Sequence, residues 1–415
     1  MNILFKGLSL VCISLSLQAI TLKELIQSTI QNNQNIKANQ FEIKAKQKTY
    51  ESVKNIYNPN LIAGASFTRL NLDRRNTQVG STSVGFIKFS MDLYDGGKNK
   101  ATKQQKMYEY KSAKFNNITN TKELLLQVVN LFFNAKTTIE NIKVFEKKGI
   151  LLKAEYERVK EKYKLKMATI DEVLKLKSEY EANKYTIEEL KYQKEELLKN
   201  LELLTGVKIT TLDDSTLPDI MGISYQKSST IKALEYSIKA NEENVKITKS
   251  IKKPKITIED TLSFYKYNDY NEQLLADLPY KQNQFTISLT YNLFDTSSKE
   301  KIESAKLIKV SNQLKLNYVK NQEKINFILA QRKLQIQKVK IESAKSALEM
   351  ANSVYKIIKS KYENGVVDNI TYLDALSKKI YNEALYNQAL NDYEIAKANY
   401  YFNSGVNYKT IISKW

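Results

Sequence analysis

Phe285-Thr286-Ile287-Ser288-Leu289-Thr290-Tyr291-Asn292-Leu293 alternates apolar and polar residues without a break. A period of two is the mark of a strand with one apolar and one polar face. Just upstream, Ile256, Ile258, Leu262 and Phe264 alternate with Thr257, Glu259, Thr261 and Ser263, and only Asp260 interrupts the apolar row. The pattern also occurs much earlier, where Ile87, Phe89, Met91 and Leu93 alternate with Lys88, Ser90 and Asp92, with Leu61 to Leu72 as a vaguer partner. These runs exceed the usual strand of about five or six residues. They read as two hairpins.

The hairpins belong to a duplicated chain. Ile36-Lys37-Ala38 returns as Ile231-Lys232-Ala233, and Ile43-Lys44-Ala45 as Ile238-Lys239-Ala240. Pro59 returns as Pro254, Leu93-Tyr94-Asp95 as Leu293-Phe294-Asp295, Tyr156 as Tyr355, Tyr163 as Tyr362, and Gly206-Val207 as Gly405-Val406. The expected organisation is a signal peptide over 1–19, a first repeat over 20–207, a linker over 208–225 and a second repeat over 226–415. The first repeat carries strands at about 60–72 and 82–94 and long helices at about 97–163 and 170–205. The second carries strands at about 255–267 and 283–294 and helices at about 297–362 and 369–404. A further helix over 21–57 opens the first repeat and stops before Pro59.

The helical segments have coiled-coil spacing. Val128, Phe132, Ala135, Ile139 and Ile142 step by fours and threes, and so do Val173, Leu176, Tyr180, Asn183 and Ile187. Gly97 to Tyr163 makes roughly 100 Å of continuous helix. Helices of that length form projecting hairpins.

Composition removes several functions. The chain has 415 residues, no histidine and one cysteine, Cys12. Histidine triads, imidazole acid–base work, zinc sites with His ligands and disulfide frameworks are excluded. No nucleotide loop or metal cluster is legible, so neither an enzyme nor a cofactor is expected. Only 11 Gly and 4 Pro leave room for long helices. The net charge of +20 comes from lysines spread along the helices, which argues for a solvated surface and against nucleic acid. Lys6, an apolar Leu8 to Leu17 and the ending Leu17-Gln18-Ala19 read as a secretory leader. Acylation at Cys12 would need small residues before it, and Val11 stands there.

An exported chain without a helical span is periplasmic, secreted or an outer-membrane β-barrel, and the two-faced strands favour the barrel. In a bilayer every backbone group must be paired within the protein, which demands a closed barrel. Four strands cannot close one, since about eight are needed. Three copies would supply twelve strands, an even number that suits an outer-membrane barrel. Thr257, Glu259, Thr261 and Ser263, with Thr286, Ser288, Thr290 and Asn292, would line a wet lumen, and Tyr265, Tyr267, Tyr291 and Phe294 would form an aromatic girdle.

With these residues in view the chain resembles the TolC-like outer-membrane efflux proteins. The likeness rests on Asn32-Asn33 ahead of Pro59, on Leu93-Tyr94-Asp95-Gly96-Gly97 with its copy Leu293-Phe294-Asp295, and on Leu203-Leu204-Thr205-Gly206-Val207. It also rests on the turn Lys162 to Leu174 and its counterpart Lys361 to Ala375. The resemblance implies a mostly α protein whose homotrimer forms a twelve-stranded β-barrel and an α-helical tunnel. It implies residence in the outer membrane of a Gram-negative bacterium, with the helices in the periplasm. The implied function is the passive exit duct of a tripartite efflux or type I secretion system. Its implied partners are outer-membrane lipid, a periplasmic adaptor and an inner-membrane transporter. The family's adaptor-docking turns fall on Gly365 and Val366 and on Lys166 and Met167, with Lys166 where the pattern has Gly. Its tip-closing contact falls on Tyr362 and Glu172, and its acidic ring on Asp374. The other ring acid falls on Thr371, with Asp368 one turn earlier. Three copies of Asp374 around a narrow axis would attract polyvalent cations. The plainer readings are a solvated helix-face acid for Asp374 and seam packing for Tyr163 and Tyr362. The rival function is a periplasmic coiled-coil adaptor or scaffold without a channel.

Overall fold

A computed structural model describes residues 19–55, 59–71, 78–219, 222–273 and 275–413. The expected leader lies, apart from Ala19, outside the described residues, as do Cys12 and Leu72. The elements in order are α1 (Leu22–Asn32), α2 (Gln34–Ser52), β1 (Asn60–Arg69), β2 (Ser81–Tyr94), α3 (Lys98–Lys164) and α4 (Ile170–Thr205). The second repeat brings α5 (Ser229–Ser250), β3 (Lys255–Asn268), β4 (Lys281–Thr290), α6 (Thr296–Glu363), α7 (Asn369–Asn403) and the short α8 (Tyr408–Ile412).

Two compact units result. One gathers the residues up to Asn39, Asn117–Ser229 and those from Asn321 on; the other gathers Gln40–Asn116 and Thr230–Lys320. The first is helical. Leu22, Leu25 and Ile26 of α1 meet Leu125, Val128, Phe132 and Phe133 of α3, Leu201 of α4 and Phe402 of α7 in one buried cluster. Each such side chain stabilises by about 1.5–3 kcal/mol on leaving water. Phe132 and Phe133 pack edge to face at 5.2 Å.

The helix expected over 21–57 is two helices. Thr21 and Glu24 close a capping box that starts α1. Asn33 then interrupts: its amide donates to Leu204 O at 2.8 Å, and its Oδ1 accepts from Asn35 N and Ile36 N at 2.9 and 3.2 Å, capping α2. The linker is strapped to α7. Lys397 donates to Leu217 O, Glu394 accepts from Leu217 N, and Tyr401 donates to Pro218 O.

The second unit carries the sheet. Its order is β1-β2-β3-β4, antiparallel throughout. Each repeat contributes a hairpin, and β2 joins β3 over the register Ser81↔Asn268 to Tyr94↔Ile256. β1 and β4 end the sheet on either side. Residues paired across the register share a face. Leu61, Phe89, Ile258, Ile287 and Leu289 fall on an apolar face; Lys88, Glu259, Thr261, Thr286 and Ser288 fall on a polar one. Lys88 pairs with Glu259 at 2.8 Å and Lys255 with Asp92 at 3.0 Å on the polar face. Tyr265 and Tyr267, expected in a lipid-facing girdle, instead share the parity of Ser263 and stack on each other at 5.7 Å. The period-two count decides this, because two odd-numbered residues cannot join the even-numbered apolar row. The alternation that runs to Leu293 is strand only to Thr290, where the register with Lys255 ends. The repeated aspartates start the long helices: Asp95 accepts from Gly97 N and Asn99 N, and Asp295 from Ser298 N and the Ser297 hydroxyl. No helix among the described residues is long and apolar enough to cross a membrane.

Candidate functional site: the two helix-turn tips

Both long-helix hairpins turn in the same way. In the first, Met167 N donates to Lys162 O at 2.8 Å and Lys166 N to Tyr163 O at 2.9 Å. In the second, Val366 N donates to Lys361 O at 2.8 Å and Gly365 N to Tyr362 O at 3.1 Å. This pair of bonds closes a helix with one left-handed residue. Gly365 takes that residue at φ +72°, and Lys166 takes it at +64° despite its side chain. The following helices are capped differently. Glu172 accepts from Thr169 N at 3.2 Å at the start of α4. Asp368 accepts from Thr371 N at 2.8 Å at the start of α7. Hydrogen bonds from the side chain and backbone of Thr371 hold the Asp368 carboxyl below the usual range. Glu172, Asp368 and Thr371 are therefore engaged in helix capping in this chain. Asp374 is exposed and pairs with Lys378 at 2.8 Å, one turn along α7.

Behind the turns lies a buried aromatic and ionic cluster. Tyr362 stacks on Tyr372 at 4.8 Å, and its hydroxyl donates to Glu155. Arg158 pairs with Glu155 at 2.7 Å and lies 4.7 Å above the Tyr362 ring. Burial, followed by the bond to Glu155, pushes the Tyr362 phenol well above its usual range. Burial, followed by a bond with Tyr355, does the same to Tyr372. Val144, Leu152, Val159, Leu176, Leu373 and Leu376 pack around them.

The cluster belongs to one repeat's tyrosine. Tyr362 sits inside it, whereas Tyr163, its counterpart, is 43% exposed and so does not pack as core. Glu155 and Arg158 escaped the sequence reading because a seam count scores only apolar positions. A usable signal was present: their counterparts in the second copy are Val354 and Ile357. Charges that replace apolar residues at equivalent seam positions point to a specific contact. Of the two residues expected at the tip-closing contact, within this chain Glu172 caps α4 and the Tyr362 hydroxyl donates to Glu155.

The chain thus combines a two-faced antiparallel sheet whose outer strands are β1 and β4 with two long helical hairpins, one from each repeat. Residues 25–207 match the family model "Outer membrane efflux protein". No curated protein matches the sequence. Among solved structures, the Campylobacter jejuni CmeC outer membrane channel matches with a TM-score of 0.83 and 16% identity, over 95% of this chain and 88% of that one. The outer membrane protein VceC of Vibrio cholerae gives 0.81 and 14%, over 93% and 96%. The open-state MtrE outer membrane channel of Neisseria gonorrhoeae gives 0.75 and 15%, over 93% and 89%. The chain is TolC-like in fold and carries, in its first repeat, the sequence signature of the outer membrane efflux proteins.

Proposed function

We propose that the chain is one third of an outer-membrane exit duct, closed at its helical tips and fed by an inner-membrane transporter through a periplasmic adaptor. The observation that carries this is the sheet. Its two edges, β1 and β4, lie open, and its apolar face presents Leu61, Ile87, Phe285, Ile287 and Leu289 to the surroundings. In water such a sheet is an aggregation hazard. In a bilayer it is satisfied once copies join edge to edge. Helix α6 supports the same assembly, since Leu314, Tyr318, Ile328, Val339, Val354 and Ile357 stand exposed at seam spacing. Those positions await the helices of a neighbouring copy.

The duct is passive. The polar sheet face, with Lys88 and Lys255 balanced by Glu259 and Asp92, lines a water-filled lumen of little net charge. The tips hold the narrow end shut through Tyr362, Glu155 and Arg158, with Asp374 near the axis. Gly365, Val366, Lys166 and Met167 form the turns that an adaptor grips. The purified protein is expected to run as a heat-modifiable trimer from outer membranes and to conduct ions in planar bilayers. A monomer extracted by urea, silent in bilayers, would overturn the proposal.

A further inference from the structure

The apolar face of the sheet changes character towards the hairpin loops. Its lower rungs are Met91–Ile258–Ile287 and Leu61–Phe89–Asp260–Phe285. Its upper rungs carry cations: Lys281 opposite Phe264, Lys266 opposite Ser83, and Arg69 opposite Ser81. Pairing and alternation put all three on the same face as Phe67 and Phe264. All three are exposed, and none has an acidic partner among the described residues. Lys281 Nζ rests 5.9 Å from the Phe264 ring centroid. The one acid of this face within the strands is Asp260, about 20 Å down the strand from Lys266 at 3.3 Å per residue. Asp269, Glu272 and Asp277 lie in the β3–β4 loop.

Beneath the cations the sheet is hollowed. Ala65 pairs with Gly85, and Gly85 with Phe264. A Cβ atom at Gly85 would meet nothing within 4 Å. The result is a depression of ≈ 560 Å³ lined by Ala65, Phe67, Ser83, Gly85, Phe264 and Lys266. Long cations at a membrane rim commonly snorkel to water. Snorkelling explains where the charges end but not the small residues below them, walled by two phenyl rings.

We infer that this face binds a phosphorylated, multiply acylated lipid of the outer leaflet, with an acyl chain in the Ala65–Gly85 hollow and its phosphate on Arg69, Lys266 and Lys281. The inference rests on the outer-membrane duct reading, which turns the hairpin loops to the cell exterior. Charge complementarity selects the headgroup, because clustered Lys and Arg at a bilayer surface recognise anionic lipids. The hollow selects a lipid over free phosphate, because inorganic phosphate has no use for an apolar floor.

The test is native mass spectrometry of the full chain purified from outer membranes. It is offered a bis-phosphorylated six-chain glycolipid, the same lipid without phosphates, or phosphatidylglycerol. The phosphorylated glycolipid should be retained about tenfold better than its phosphate-free form. The triple variant Arg69→Gln, Lys266→Gln, Lys281→Gln should lose that preference while its bilayer conductance stays unchanged. Gly85→Leu, which leaves every cation in place, should also lower retention. Equal retention by wild type and both variants overturns the inference, and so does phosphatidylglycerol held as well as the glycolipid. A wild type that conducts but keeps no glycolipid overturns this inference alone. One that neither inserts nor conducts overturns the duct reading and this inference with it.

Discussion

Lys166 and Gly365 hold the same left-handed backbone, at φ +64° and +72°, at equivalent places in the two tip turns. One turn uses the residue suited to that conformation and the other does not. A left-handed L-residue costs about 1–2 kcal/mol. A glycine there removes the strain and returns about 0.5–1 kcal/mol as lost chain entropy. Lys166→Gly should therefore stabilise the chain by somewhat under about 1 kcal/mol. Gly365→Ala should destabilise it by about 1 kcal/mol. Denaturant unfolding of both variants checks the pair, and a Lys166→Gly variant less stable than wild type would contradict the turn geometry.

Tyr362→Phe removes the hydroxyl that Glu155 accepts while keeping the ring against Tyr372. Glu155, only 8% exposed, is left with Arg158 alone. The loss of one bond to a buried charge costs about 1.5–3 kcal/mol. The expected outcome is a higher single-channel conductance with lower thermal stability. Conductance equal to wild type would show that the contact does not restrain the tips.

The same tyrosines make an alkaline prediction. A phenol whose folded pKa is raised adds stability below the unfolded value of about 10, and that stability is lost as pH rises through the folded value. Both Tyr362 and Tyr372 are raised, first by burial. In a spectrophotometric titration the difference between wild type and Tyr362→Phe should appear only well above pH ~10. Ionisation of Tyr362 together with the exposed tyrosines would refute the buried cluster.

Asp374 faces solvent with Lys378 as its one-turn partner. If copies of Asp374 ring a narrow axis, trivalent cations should block current. Asp374→Asn should weaken that block, and Lys378→Ala, which unmasks the carboxylate, should tighten it. Block unchanged in both variants would remove Asp374 from the conduction path.

Asn33 serves two elements at once, donating to Leu204 O and capping α2. Asn33→Ala should lower stability by about 1–2 kcal/mol, since caps alone are worth about that. Asn33→Asp, which keeps the cap but not the donor, should recover part of it. Thermal melts of the two variants measure the split.

The broad fold was legible because its signals are periodic. Ile256 to Phe264 and Phe285 to Leu289 alternate cleanly, and the seam of α3 and α4 repeats over many turns. The pairing of β2 with β3 was not legible, since nothing local in either strand names its neighbour across a long helical hairpin. For Tyr265 and Tyr267 residue type suggests an interfacial girdle, but the period of two puts them on the face of Ser263. At the tips, Gly365 announced its left-handed turn, but Lys166 did not, because the backbone there is imposed by the helices it joins. The caps at Asp368 and Glu172 are legible by position, since an acid just before or inside a first turn favours that role. Glu155 and Arg158 lay on a coil seam, where only a comparison between the two copies makes a charge conspicuous.

If copies join edge to edge through the outer backbones of β1 and β4, as proposed above, no copy of this polypeptide is a finished object. A lesion in either strand is therefore not private to the molecule that bears it. When sound and damaged copies are made together, the damaged ones should spoil the assemblies they enter, so alleles that disrupt β1 or β4 yet still associate are expected to be genetically dominant.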